Sequence, residues 1–104
     1  MHKKSWQDVI AVADLEAGDV TPVTLGAREL AVFDAKGGIV VSMARCTHGA
    51  ANLCDGHFDG TFIECPLHQG LFDVRDGSAK AAPARVNLRM LQSRVENGMV
   101  QVLV

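Results

Sequence analysis

No stretch of this chain sustains an apolar helical period for three turns, and from Val9 onward short apolar or alternating runs are separated by glycine, aspartate and asparagine. That rhythm predicts an all-β protein. Candidate strands are Val9–Val12, Val20–Leu25, Glu29–Phe33, Ile39–Ala44, Thr61–Glu64, Val86–Leu91 and Met99–Leu103, and seven short strands suggest a small antiparallel sandwich or barrel. Leu25-Gly26-Ala27-Arg28 and Asp34-Ala35-Lys36-Gly37-Gly38 read as local turns, and Glu96-Asn97-Gly98 holds the Asn-Gly pair favoured in tight hairpins. Asp14 to Asp19 suits one helical turn closed by Gly18. There is no repeat, low-complexity tract or linker, so residues 1–104 read as one domain, long enough to bury a core without several disulfides.

A hydrophobic content of 48% with 21% charged residues belongs to a chain that folds. Net charge is −2 and the ten Lys and Arg are scattered rather than striped, which argues against a nucleic-acid surface. No apolar run approaches the roughly 18 residues of a membrane span. Met1-His2-Lys3-Lys4-Ser5-Trp6-Gln7-Asp8 has no apolar signal region behind its lysines, so the expectation is a cytoplasmic protein. Three cysteines cannot all pair, and two of them stand close to histidines, a usage that favours metal ligation over a disulfide framework.

Between Arg45 and Asp73 the strand rhythm breaks into two loops, Cys46-Thr47-His48-Gly49 and Cys65-Pro66-Leu67-His68-Gln69-Gly70. The pattern is C-x-H, sixteen residues, then C-x-x-H. Each loop offers one thiolate and one imidazole close enough in sequence to reach a single centre. Two sulfur and two nitrogen ligands suit either a tetrahedral zinc ion or an iron–sulfur cluster. Common zinc fingers keep both cysteines in one segment and both histidines in another. Here each segment is mixed, which favours a cluster in which two histidines replace two cysteines on one iron.

Cys46-Thr47-His48-Gly49-Ala50-Ala51 and Cys65-Pro66-Leu67-His68-Gln69-Gly70-Leu71-Phe72-Asp73 resemble the cluster loops of Rieske-type ferredoxins, in particular the ferredoxin components of bacterial aromatic-ring-hydroxylating dioxygenases. The likeness runs from about Trp6 to Val104, with its specificity in residues 46 to 73. It implies the Rieske fold, a β-sandwich carrying a cluster-binding subdomain at one end. Cys46 and Cys65 would bind the inner iron of one [2Fe–2S] cluster, with His48 and His68 on the outer, exposed iron. It also implies a proline-containing covering loop, for which Ala82-Pro83-Ala84 lies at the matching place. High-potential relatives carry two further cysteines where this chain has Ala51 and Leu67, and a serine and a tyrosine where it has Gly70 and Phe72. The resemblance is therefore to the low-potential branch.

The remaining singular residues have plainer readings. Cys54 lacks a partner at ligand spacing and reads as a buried or free thiol, His57 as a solvated turn histidine, and His2 as a terminal residue. Trp6, Phe33, Phe58, Phe62 and Phe72 are what a small core needs, with Phe72 also beside a ligand loop. Thr47 and Pro66 are read as structural, and Arg45, Asp55, Asp59, Arg75 and Lys80 as solvated surface open to a partner.

The function implied is one-electron transfer from a ferredoxin reductase to a terminal oxygenase, by a monomer docking transiently at the His48/His68 tip and acting as a carrier rather than an enzyme. An oxygenase would need a second iron site, for which no carboxylate–histidine group is present. Two ferric ions, two sulfides, two thiolates and two neutral imidazoles sum to zero, so gaining an electron costs less than in a four-cysteine cluster and the potential is higher. The alternatives are the Rieske small subunit of an assimilatory nitrite reductase and a zinc-stabilised binding module.

Overall fold

A computed structural model describes residues 3–47, 51–66, 69–82 and 84–104. Among these residues the chain forms β1 (Trp6–Ala11), β2 (Val20–Leu25), β3 (Arg28–Ala35), β4 (Gly38–Met43), β5 (His57–Phe58), β6 (Phe62–Glu64), β7 (Leu71–Asp73), β8 (Ala79–Ala81), β9 (Met90–Leu91), β10 (Ser93–Glu96) and β11 (Met99–Leu103). All strand pairs are antiparallel and fall into three sheets, ordered β1-β11-β10, β2-β3-β4-β9 and β5-β6-β7-β8. No helix of the described residues is long and apolar enough to cross a membrane.

The central sheet is organised by β3, where Leu30, Ala31, Val32 and Phe33 are all fully buried. Successive side chains leave a strand on opposite faces. Leu30 and Val32 join Val41, Val100 and Val102 in one core against the first sheet. Ala31, Phe33 and Ala35 join Phe58, Ile63 and Phe72 in a second core against the third sheet. The Phe33 and Phe58 rings meet at 5.2 Å in a tilted arrangement, a pairing that adds about 0.5–1.5 kcal/mol to their burial.

The expected turns are hairpins. Leu25 pairs with Arg28, Ala35 with Gly38 and Glu96 with Met99, leaving two-residue loops. Asn97 and Gly98 both adopt positive φ, 52° and 77°, the combination of a type I′ turn. The turn expected at Asp14–Asp19 is divided into a 3-10 turn over Val12–Asp14 and a tight turn in which the Asp19 N–H donates to the Glu16 carbonyl.

Three expectations shift: the first strand, expected over Val9–Val12, runs from Trp6 to Ala11, and Val12 opens the 3-10 turn. Val86–Leu91 is a strand only at Met90–Leu91, which pairs with β4. Its upstream half bonds to scattered partners: the Leu88 N–H donates to Gly77 O, and the Asn87 side chain accepts the Ala79 N–H. The strands β5, β7, β8 and β10 were not expected, because two or three residues are too few to show alternation and β10 is mostly exposed. On the outer face Arg94 lies 4.2 Å over the Trp6 ring and donates to Gln101, which donates to Asp8, a ladder across β10, β11 and β1. Trp6 is thus half-buried by a cation–π contact rather than by the core.

The third sheet sits close against the turn that follows the first loop. Gly56 donates to Leu53 O, and a Cβ at this position would collide with the carbonyl oxygen of Glu64. Gly37 has open space around it and no positive φ. Gly56→Ala should therefore cost about 1–3 kcal/mol by overpacking, whereas Gly37→Ala should stay within about 0.5 kcal/mol of the parent. Thermal melting of the two variants checks the contrast, with equal midpoints counting against the close approach.

Candidate metal centre

Both ligand-bearing loops are hairpin tips of the same size. In the first, Arg45 pairs with Asn52 and the Cys46 N–H donates to Ala51 O at 2.9 Å. In the second, Glu64 pairs with Leu71 and the Cys65 N–H donates to Gly70 O at 2.7 Å. Each loop therefore holds six residues, Cys46–Ala51 and Cys65–Gly70, with a cysteine at its first position. The two frames are equal in span, although the cysteine–histidine spacing differs between loops.

Both cysteines are withdrawn from solvent, Cys46 at 3% and Cys65 at 0% exposure, and belong to the core that contains Leu53, Phe58, Ile63 and Phe72. The structure thus places two of the four residues expected as ligands in one buried core. His48 and His68 lie outside the described residues, as do Gly49, Ala50, Leu67 and Pro83. Among the described residues no group of three His, Cys, Asp or Glu side chains converges. Two buried thiol-bearing residues at the bases of matched loops, in apolar surroundings that exclude water, fit the sulfur half of a two-sulfur, two-nitrogen cluster site.

The loops are braced from several sides. The Thr47 hydroxyl donates to Val86 O at 2.6 Å, in keeping with a structural role. Asn52 Oδ1 accepts the Cys54 N–H and caps the 3-10 turn Leu53–Asp55. Gln69 takes a positive φ of 61°, at a cost of about 1–2 kcal/mol for a residue with a side chain, immediately before the carbonyl that closes the second loop. Pro66 is exposed in that loop, and Phe72 is fully buried opposite Ile63.

Cys54 is half-buried and packs against the same core. Burial pushes its thiol up to about 11, with the negative charges of Asp55 and Glu29 adding to the rise. At neutral pH it stays protonated, and the thiolate is the metal-binding form. His57 is exposed, as expected, although it sits at the start of β5 opposite Glu64 rather than in a turn.

The feature that sequence reasoning passed over is Asp73, a buried carboxylate at the end of β7. Its Oδ1 accepts the Arg75 N–H and Nε–H, and its Oδ2 is 2.7 Å from Arg75 Nη2. The backbone of Asp73 also clamps the β7–β8 turn, donating to Ser78 O and accepting from the Gly77 N–H. Only the short Asp-x-Arg-Asp-Gly run hints at this in the sequence. Among the charges read as open surface, Arg75 and Asp59 are engaged locally: Asp59 accepts the Thr61 and Phe62 N–H groups.

The Arg75 side chain, by hydrogen bond, holds the Asp73 carboxyl below the usual carboxylate range, against the opposing effect of burial. A lowered folded-state pKa contributes stability that is complete above the unfolded value, about 3.9, and is lost as pH falls through the folded value. Asp73→Asn should lower the melting temperature by a few degrees at pH 7, and the gap to the parent should close as pH drops below about 4. A gap that widens on acidification would contradict this sign.

A family model described as the Rieske [2Fe-2S] domain matches residues 5–93. The chain is 41% identical over 97 residues to the naphthalene 1,2-dioxygenase system ferredoxin component of Pseudomonas putida, covering 93% of each chain. It is similar in structure to the Sphingomonas yanoikuyae B1 ferredoxin, with a TM-score of 0.89, 36% identity and coverage of 96% and 99%. It also matches a chain in the complex of reduced oxygenase and oxidized ferredoxin of carbazole 1,9a-dioxygenase, with a TM-score of 0.85, 36% identity and coverage of 94% and 92%. By the extent of these matches, and with buried cysteines at the bases of two equal loops, the chain belongs to the Rieske [2Fe-2S] domain family.

Proposed function

We propose that residues 1–104 act as one unit that holds a single [2Fe–2S] cluster through Cys46, His48, Cys65 and His68. The unit carries single electrons from a ferredoxin reductase to the terminal oxygenase of an aromatic-ring-hydroxylating system. The observation that carries this reading is the pair of six-residue loops, each opening on a buried cysteine, in a chain that resembles the ferredoxin component of a naphthalene dioxygenase system. When bound, the cluster takes up and gives up one electron at a time.

The chain's part is to keep the ligand frame unchanged between the two redox states. The Cys46 and Cys65 amides are spent on closing their own loops, and Leu53, Phe58, Ile63 and Phe72 keep water from the sulfur end. A frame that does not rearrange when charge arrives lowers the cost of each transfer. Relatives named as components of dioxygenase systems support a donor to an enzyme rather than the enzyme itself, and the carbazole dioxygenase complex supports the oxygenase as partner. In this reading the protein is a cytoplasmic monomer that docks briefly at the histidine tip, in contrast to a subunit held permanently in a nitrite reductase.

Alanine at Cys46, His48, Cys65 or His68 should abolish the red-brown colour and the reduced-state EPR signal of a Rieske centre, and should lower stability because the cluster ties the loops. Cys54→Ala and His57→Ala should keep both. A colourless Cys54→Ala protein would overturn the ligand assignment. With no hydroxyl at Gly70 or Phe72, the midpoint potential should fall near the low end of the Rieske range, roughly −150 mV. A redox titration measures it, and a value near the high end counts against the reading. Mixed with a reductase and an oxygenase the protein should support aromatic hydroxylation, and alone it should support none.

A further inference from the structure

Beside the first ligand loop a groove of about 400 Å³ is lined by Met43, Arg45, Cys46, Thr47, Val86 and Arg89. Neither Arg45 nor Arg89 forms an ion pair among the described residues, where the sole salt bridge is Arg75–Asp73. Both guanidinium groups are exposed, and no acidic side chain is among those lining the groove. Val86 lines the same groove, at 63% exposure one of two large hydrophobic side chains the described residues leave in water. Val86 is held there by the 2.6 Å bond from Thr47 Oγ1 to its carbonyl, so the apolar knob is fixed to the loop that carries Cys46.

Two unpaired cations lining one groove with an apolar side chain, on a molecule whose net charge is −2, form a local reversal of sign. An anionic surface is repelled by the molecule as a whole and attracted here, which selects one orientation of approach. We propose that the Arg45–Val86–Arg89 groove is a docking surface for a carboxylate-bearing, partly apolar face of the terminal oxygenase, seating that partner beside the Cys46 loop. This rests on the carrier reading above and adds to it a flank contact distinct from the histidine tip. Arginine suits the role, because its planar fork pairs with carboxylates in two-point contact.

The test is stopped-flow reduction of the terminal oxygenases of the naphthalene, carbazole and anthranilate dioxygenase systems by the prereduced, cluster-loaded protein. Arg45→Glu/Arg89→Glu should slow the second-order transfer about tenfold or more at low ionic strength, with the difference shrinking as salt is added. The absorption spectrum of the charge-reversed protein should stay as in the parent, and its rate is compared after correction for any measured change in midpoint potential. Arg45→Gln/Arg89→Gln should fall between the two, and Lys3→Glu/Lys4→Glu, which makes the same net charge change elsewhere, should slow transfer much less. Val86→Ser should raise the concentration needed for half-maximal rate. If the parent reduces an oxygenase and the charge-reversed protein does so as fast, the groove is not the docking surface and the carrier reading stands. If reduction by a ferredoxin reductase slows as much as oxygenase reduction, the assignment to the oxygenase fails. If the parent reduces none of the three oxygenases, the carrier reading fails and this inference goes with it.

Discussion

The burial of both faces of β3 is the interaction on which the rest of the molecule depends. A strand whose every central residue is inaccessible must be covered twice, and here one cover is the β1-β11-β10 sheet and the other is the sheet that carries the ligand loops. A change at Phe33 is felt by Phe58 in the third sheet, and a change at Leu30 or Val32 by Val100 and Val102 in the first. The sheet that carries the ligand loops shares this buried core with its scaffold, and closely packed cores transmit strain.

The ligand loops inherit their geometry from this arrangement. The second stem is the paired ends of β6 and β7 and the first is a single antiparallel bridge, Arg45 with Asn52, so the bases of Cys46 and Cys65 are set by backbone pairing before any metal is considered. What remains for the loops is a six-residue span closed by one amide–carbonyl bond, with a positive φ at Gln69 absorbed on the second side. Asp73 and Arg75 fasten the turn beyond that second loop.

The parts legible in the sequence are those with local causes. β2 and β11 match their expected spans because six- and five-residue alternating runs declare themselves, and the Asn97-Gly98 turn follows from a dipeptide that tolerates positive φ. The two cysteines stood out through their spacing to histidines, and the structure places them in one buried cluster. What could not be read has distant causes. The two- and three-residue strands β5, β7 and β8 exist through pairing in the row β5-β6-β7-β8, and Val86–Arg89 alternates like a strand but spends its hydrogen bonds on separate neighbours. Asp73 gave no sign of burial because its charge is matched two residues on by an arginine that itself stays exposed. Equal loop size was hidden by unequal ligand spacing, and only strand pairing exposes it.

The central sheet has one further property. β4 and β9 are hydrogen-bonded neighbours, with Ser42 opposite Met90, and the Met43 N–H bonds to Arg89 O, yet the whole third sheet lies between them in the chain. The metal-binding half leaves and re-enters its host through a single doorway. For such an excursion the entropic cost of closing the chain rises by only about 0.6 kcal/mol per doubling of its length. The host therefore places little entropic restriction on how long the guest is, so ligand-bearing segments can lengthen within the β4–β9 bracket while the strands that cover Phe33 stay in place.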